Sequence, residues 1–181
     1  MTIKKLKPAL PYVGLPALGI ALLVVRVGQM DGFILLWCTL LLVFGYITAV
    51  RDIKTKKIPN SLVLAMLAAW LVTMLPMVFL ETHASVTLLV DSALGFALGG
   101  GLFLLVYIIS RKGLGGGDVK FMAVAGLYLG FYGVIPAMLY GTVLASLTGI
   151  VLLLSKKIGR KDTMPLAPFL FAGILITIFF M

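Results

Sequence analysis

The chain has 181 residues, of which 62% are hydrophobic and 12% charged, and its formal net charge is +9. Soluble globular domains have about 45–50% apolar and about 25% charged residues, so this composition excludes a soluble protein. A lipid bilayer supplies an apolar solvent, and we therefore expect an all-α integral membrane protein. The basic residues lie between apolar runs, which favours orientation in a membrane over nucleic-acid binding.

Seven apolar runs follow one another, each close to the roughly 20 residues that cross a bilayer as a helix. The runs are residues 9–27, 33–50, 61–80, 86–110, 119–135, 137–155 and 165–181. The fifth and sixth form one apolar stretch, which Gly130, Gly133 and Pro136 are predicted to break into a tight hairpin. A polytopic bundle of about seven transmembrane helices is expected, or six if that break is absent.

The first run follows Lys4, Lys5 and Lys7, as the apolar part of a secretion signal would. No small-x-small cleavage site follows it, so it is predicted to remain as a membrane helix. Residues 1–32 are interpreted as an extra N-terminal membrane segment with a short outer loop. Residues 1–181 are interpreted as one transmembrane domain.

The basic residues predict the orientation of these crossings. With the N-terminus inside and the crossings alternating, every Lys and Arg except Arg26 falls on one side. Positively charged loops stay in the cytoplasm, so this side is the cytoplasmic one and a bacterial inner-membrane location is expected. The one cysteine, Cys38, excludes an internal disulfide and a cysteine-based metal site, and no cofactor is expected.

Two of the six acidic residues, Asp52 and Asp118, fall at membrane boundaries on the cytoplasmic side, whereas Asp91 falls near the outer side. A carboxylate at the end of the second span meets the negative end of the helix dipole, at a cost of about 0.3–1 kcal/mol. A surface ion pair of Asp52 with Arg51 or Lys54 is the simplest alternative.

Asp118 follows three glycines, Gly115 to Gly117, and precedes an apolar run. An ordinary helix N-cap explains this arrangement equally well. Phosphate binding is disfavoured, because the Gly-Lys-Ser/Thr ending of a P-loop is missing and a carboxylate repels phosphate. The same capping role is expected for Asn60 or Ser61 at the start of the third span.

Together, Asp52 and Asp118 on one membrane face indicate an acid/base pair. Two close carboxylates do not both ionise easily, so one holds a proton near neutral pH. The ionised carboxylate can take a proton from a water that attacks a peptide carbonyl, and the protonated one can help the amine to leave. Such a site needs neither a metal nor a covalent intermediate.

These residues resemble the motifs of the type IV prepilin leader peptidases, membrane aspartic proteases of the GxGD class. The first motif is Asp52 followed by Pro59-Asn60, and the second is Gly115-Gly116-Gly117-Asp118-Val119-Lys120. The third, Met164-Pro165-Leu166-Ala167-Pro168-Phe169, is similar to the start of the family's last helix. It extends from about residue 33 to the C-terminus. It implies that Asp52 and Asp118 are catalytic. The supporting motif residues are Pro59, Asn60, Gly115, Gly117 and Lys120.

The resemblance also implies a substrate. A short basic leader would be removed after a glycine, at the cytoplasmic membrane face, from a prepilin-like precursor. The expected partners are thus this protein substrate and the lipid bilayer, with no nucleic acid, and the oligomeric state is left open. Larger members of the family carry a Cys-rich domain and methylate the new N-terminus; with Cys38 alone, this chain is not expected to do so.

Three other functions are alternatives to this one. A small transporter would place an ionisable residue in the middle of a span, and the centres of the predicted spans lack acidic residues. A non-catalytic subunit of a pilus or secretion machine would leave the pairing of Asp52 and Asp118 unexplained. A GxGD protease with another substrate stays open. Four glycines in the fourth run, Gly95 and Gly99 to Gly101, are predicted to allow close helix packing.

Overall fold

The structure is a computed structural model. It describes residues 24, 31–80, 82–110, 113–156 and 164–181. Five helices cover most of these residues: α1 (Gly32–Thr55), α2 (Asn60–Leu80), α3 (Thr82–Ile109), α4 (Gly116–Leu154) and α5 (Ala167–Phe180). Apart from Val24, Asp31 and Gly32, the predicted N-terminal membrane segment 1–32 lies outside the described residues.

Four of the described helices are long and apolar enough to cross a membrane. They are Gly32–Thr55, Asn60–Phe79, Ser85–Ile109 and Gly116–Leu154, and the shorter Ala167–Phe180 is also apolar. Large apolar side chains cover the outside of the bundle; Leu64 is 62% exposed, Ile109 72% and Phe79 83%. Such a surface suits lipid and not water, so the helices form an integral membrane bundle, as predicted.

The predicted number of crossings is not supported. The first predicted crossing lies outside the described residues, and the fifth and sixth are joined in α4. Within α4, however, Gly130 leaves the helical conformation, with φ 66° and ψ −175°. Met122 and Val134 both lie against Gly99, although a straight helix would separate them by about 18 Å. The chain therefore doubles back at Gly130, one of the three residues at which the sequence predicted a turn.

Asp91 stabilises this turn. A positive φ suits glycine, and a β-carbon at Gly130 would collide with the Asp91 carboxylate. Asp91 Oδ1 accepts a hydrogen bond from the Phe131 amide at 3.1 Å. The carboxylate thus provides an acceptor for the first amide after the break, which has none within the helix.

Glycines bring the helices into backbone contact. Gly95 of α3 lies against Gly126 of α4, and Gly99 and Gly100 also face the first half of α4. The predicted role of these glycines in close packing is therefore confirmed for three of the four. Gly101 has nothing within 4 Å among the described residues. This contact fixes the part of α4 that carries Asp118.

The short helix α5 packs between α1 and the second half of α4. On one side, the Phe171 ring lies against Gly45 of α1. On the other side, Gly173 lies against the backbone at Gly141 of α4. Phe121 and Phe171 are among the largest fully buried side chains of the core that these helices share. The packing brings the end of α1 and the start of α5 to the same end of the bundle.

Candidate active site

Asp52 lies in the last turn of α1 and is only 6% exposed. Its Oδ2 accepts a hydrogen bond from the amide of Ala167, the first residue of α5, at 3.0 Å. First-turn amides of a helix carry partial positive charge and lack acceptors within the helix. Asp52 therefore lies at the favourable end of α5 as well as at the unfavourable end of α1. It is not a surface aspartate, whereas Arg51 and Lys54 are exposed.

The way in which α5 begins, with Pro168 as its second residue, explains why the Ala167 amide is available to Asp52. The carbonyl of Leu166 accepts the amide of Phe169 at 3.0 Å, which starts the helix. Pro168 occupies the first turn, where its missing N–H would have had no acceptor anyway. The amide of Ala167 is left without a partner in its own helix, and Asp52 supplies one.

Asp118 is the third residue of α4 and is 9% exposed. The helix begins at Gly116, and Gly115 occupies the N-cap position. Asp118 is therefore not the N-cap that the sequence offered as the simpler explanation. The Gly115 backbone donates a hydrogen bond to the Asp118 carboxylate, much as in a capping box. The other oxygen, Oδ1, is buried and has no hydrogen-bond partner within the described part of the chain.

Both carboxylates line one cavity of about 270 Å³. Its other walls are Lys56, Lys57 and Ile58 from the loop after α1, and the glycines Gly115–Gly117. The two carboxylates interact electrostatically, which indicates that they are close. The cavity has room for several waters. In the ranges that the structure describes, no group of three or more His, Cys, Asp or Glu side chains could hold a metal ion.

Two of the glycines before Asp118 have distinct roles. At Gly115, a β-carbon would lie 2.6 Å from Asp118 Oδ2, so the glycine leaves room for the carboxylate. At Gly117, a β-carbon would lie 2.9 Å from the β-carbon of Ile58, so the glycine lets α4 approach the loop after α1. Both are residues that the sequence singled out, and both act by the absence of a side chain.

The supporting residues Asn60 and Lys120 are joined across the site. Lys120 Nζ donates a hydrogen bond to Asn60 Oδ1 at 3.0 Å. Asn60 is the first residue of α2, and the carbonyl of Pro59 accepts the amide of Leu62 at 3.1 Å. The predicted N-cap at Asn60 or Ser61 is therefore wrong, because both residues lie inside α2 and Pro59 precedes the helix. The Asn60 side chain instead accepts the hydrogen bond from Lys120.

Sequence reasoning missed the amide of Ala167, because a backbone donor has no side-chain signature. The nearby proline pattern was the only signal that could have indicated it. The reasoning also missed the part of Asp91 in the turn at Gly130. That contact joins residues forty positions apart, and no local pattern predicts it.

The model of the type IV leader peptidase family matches residues 38–154. The prepilin leader peptidase/N-methyltransferase of Bacillus subtilis is 32% identical over 135 residues, which are 72% of this chain and 50% of that protein. The protein of the same name from Xanthomonas campestris pv. campestris is 26% identical over 140 residues, 77% of this chain and 46% of that protein. The one from Burkholderia pseudomallei is 30% identical over 130 residues, 71% of this chain and 41% of that protein.

The chain thus spans about half the length of the curated relatives it matches. No solved structure matches it. The matched residues include Asp52, Asp118, Asn60 and Lys120, whereas α5 lies beyond the match. The chain belongs to the type IV leader peptidase family.

Proposed function

We propose that this protein is an aspartic endopeptidase that removes the short basic leader from type IV prepilin-like precursors, either pilins or pseudopilins. Cleavage follows a glycine at the cytoplasmic membrane face. The observation that carries the proposal is the burial of Asp52 and Asp118 in the walls of one cavity. Membership of the family, and the prepilin leader peptidase named among the relatives, support the activity. The proposal covers the peptidase alone.

In the proposed mechanism the pair shares one proton, since two close carboxylates resist double ionisation. The ionised carboxylate takes a proton from water as the water oxygen attacks the scissile carbonyl carbon. The protonated carboxyl donates its proton to the carbonyl oxygen. When the C–N bond breaks, the amine takes up the first proton, and the second returns to its carboxylate.

The proposed location is the bacterial inner membrane, with the N-terminus and the site on the cytoplasmic side. Lys56 and Lys57, two exposed residues of the cavity wall, support this orientation. The reversal at Gly130 supports two crossings by α4. The second half of α4 returns towards the site, since Gly149 lies near Met164, and Met164 is close to the start of α5. Seven crossings in total are part of the proposal.

The test is co-expression with a prepilin-like precursor, followed by gel mobility of the precursor. Asp52→Asn and Asp118→Asn should each reduce processing by at least about a hundredfold, because loss of a general acid or base costs about 10²–10⁴ in rate. Asp31→Asn is the matched control, since Asp31 is exposed and lies before α1, at the other end of that helix from Asp52. Membrane levels of each variant are measured by immunoblot. Processing that survives either substitution would overturn the assignment of the pair.

A further inference from the structure

The loop Lys56–Pro59, between α1 and α2, forms one wall of the candidate cavity. It begins at Lys56, which has a left-handed φ of 50° and donates its amide to the Asp52 carbonyl at 2.7 Å. A left-handed conformation at a residue other than glycine persists only where the surroundings hold it. The middle of the loop, at Ile58, rests against Gly117. The far end of the loop is Pro59, whose carbonyl accepts the amide of Leu62 at the start of α2 at 3.1 Å.

The start of α2 is weakly embedded in the bundle. The buried side chains among those described for α2 are Met66, Trp70 and Met74, which form one stripe farther along the helix. Asn60 and Ser61 are exposed. Val63, in the first turn, packs partly against the core. The two exposed residues before it gain little from packing, so a specific bond matters most at Asn60.

The hydrogen bond from Lys120 Nζ to Asn60 Oδ1, at 3.0 Å, is such a bond. Lys120 lies two residues after Asp118 in the first turns of α4, and Asn60 directly follows the loop. The bond thus links α4, which carries Asp118, to the end of the loop Lys56–Pro59, which follows the helix that carries Asp52. Neither residue is among those that line the cavity.

We propose that Asn60 and Lys120 are a positioning pair, which holds the loop Lys56–Pro59 against Asp118 so that the two carboxylates keep their working geometry. This inference rests on the proposed function for its effect on catalysis. The two side chains do not touch the reacting atoms. Their loss should lower kcat and leave KM close to its original value, because the geometry of the pair changes and the substrate contacts do not.

The first test is a double-mutant cycle with purified protein and a prepilin-like precursor. Asn60→Ala and Lys120→Met should each lower kcat by roughly three- to tenfold, the loss expected for one hydrogen bond. The double variant should be no slower than the slower single variant, because both substitutions remove the same interaction. Losses that multiply in the double variant, single variants with unchanged kcat, or losses confined to KM would overturn the pair.

The second test does not depend on peptidase activity. In a Cys38→Ser background, a cysteine replaces Ile58, and its rate of reaction with a maleimide is measured in membranes. Lys120→Met should speed this labelling several-fold, because the loop is released from Gly117. A cysteine at Ser155, exposed at the far end of α4, is the control and should react at an unchanged rate.

The processing assay and the labelling assay test the proposed function and the positioning pair separately. Asp52→Asn and Asp118→Asn variants that still process the precursor would remove the proposed function, and the labelling rates would still decide whether Lys120 holds the loop. Unchanged labelling at position 58 in Lys120→Met would remove the positioning pair, whatever the activity of the protein.

Discussion

Each candidate catalytic carboxylate meets the first backbone amides of a helix. Asp52 accepts the amide of Ala167 at the start of α5, and Asp118 lies in the first turn of α4 with a backbone hydrogen bond from Gly115. Burying a carboxylate in an apolar bundle is costly unless hydrogen bonds compensate it. The partial positive charges of two helix N-termini provide that compensation, and no Lys or Arg is buried among the described residues. Lys56 and Lys57 can therefore stay exposed in the cavity wall.

Replacing Ala167 with proline tests the role of its amide. Proline has no N–H, so the bond to Asp52 is lost. Leu166 before it is in the αR conformation, which a following proline disfavours, so the level of folded protein in the membrane is measured as well. Processing should fall about tenfold or more, since a hydrogen bond to a charged group is worth about 1.5–3 kcal/mol. Ala167→Gly keeps the amide and should retain most of the activity. Gel mobility of a co-expressed precursor measures both, and normal processing by Ala167→Pro would contradict the role of this amide.

Gly115→Ala tests the space that the Asp118 carboxylate needs. The added β-carbon would lie 2.6 Å from Oδ2, so the carboxylate must turn away and processing should fall strongly. Gly101→Ala is the control, because Gly101 lies outside the cavity wall and no described atom lies within 4 Å of the added β-carbon. Initial rates on the same precursor are compared at equal protein levels. Equal rates for the two variants would show that Oδ2 does not need this space.

At the scale of elements, the break in α4 decides where Asp118 lies. The first half of α4 packs backbone to backbone on α3 through Gly95 and Gly126, and the second half packs on α5. A straight helix could not make both contacts. The turn at Gly130, with its acceptor Asp91, lets one apolar stretch supply two antiparallel arms of the bundle. Pro136 does not interrupt the second arm, which continues to Leu154.

Gly130→Ala should therefore destabilise the bundle. The left-handed φ of 66° costs a residue other than glycine about 1–3 kcal/mol, and collision with Asp91 adds to this. Thermal unfolding in detergent, followed by the fluorescence of Trp37 and Trp70, should shift to a lower temperature. Gly101→Ala adds a methyl group in open space and should unfold at or above the temperature of the unmodified protein. Equal unfolding of the two variants would contradict the assigned turn.

At the scale of the whole molecule, one end of the bundle collects the starts of α2, α4 and α5 and the end of α1. Lys56, Lys57 and Lys120 lie at this same end, around the cavity. Basic residues on one side hold a membrane protein in one orientation. The same charges therefore support the proposed position of the candidate site at the cytoplasmic face.

Reporter fusions test this orientation. Fusions after Lys56 and after Lys157 should both report a cytoplasmic location, because both positions lie in basic clusters that follow apolar runs. A fusion after His83, at the start of α3 and between the third and fourth apolar runs, should be exported. Paired fusions to alkaline phosphatase and to a fluorescent protein give opposite signals on the two sides. An exported reporter after Lys157 would contradict the reversal of α4 within the membrane.

The sequence by itself determined that this protein needs a lipid environment and which two aspartates form the candidate site. Its apolar fraction requires lipid around it, because too few polar residues exist to cover a bundle in water. Its basic clusters predict which face Asp52 and Asp118 share, and the motifs around them match the family that the comparison found. These properties depend on composition and short spacings, which are present in the chain before it folds.

The tertiary structure decided how the two aspartates are held. The donor to Asp52 comes from a residue 115 positions away, and the partner of Lys120 from one 60 positions away. It also decided that the fifth and sixth predicted spans form one element bent at Gly130, and that Asp118 lies within the first turn of its helix and not before it. Such contacts depend on how helices pack, and packing brings together residues whose separation in the chain carries no information about their distance. The two aspartates were visible as a pair from charge alone, but their backbone donors became visible only in the folded chain.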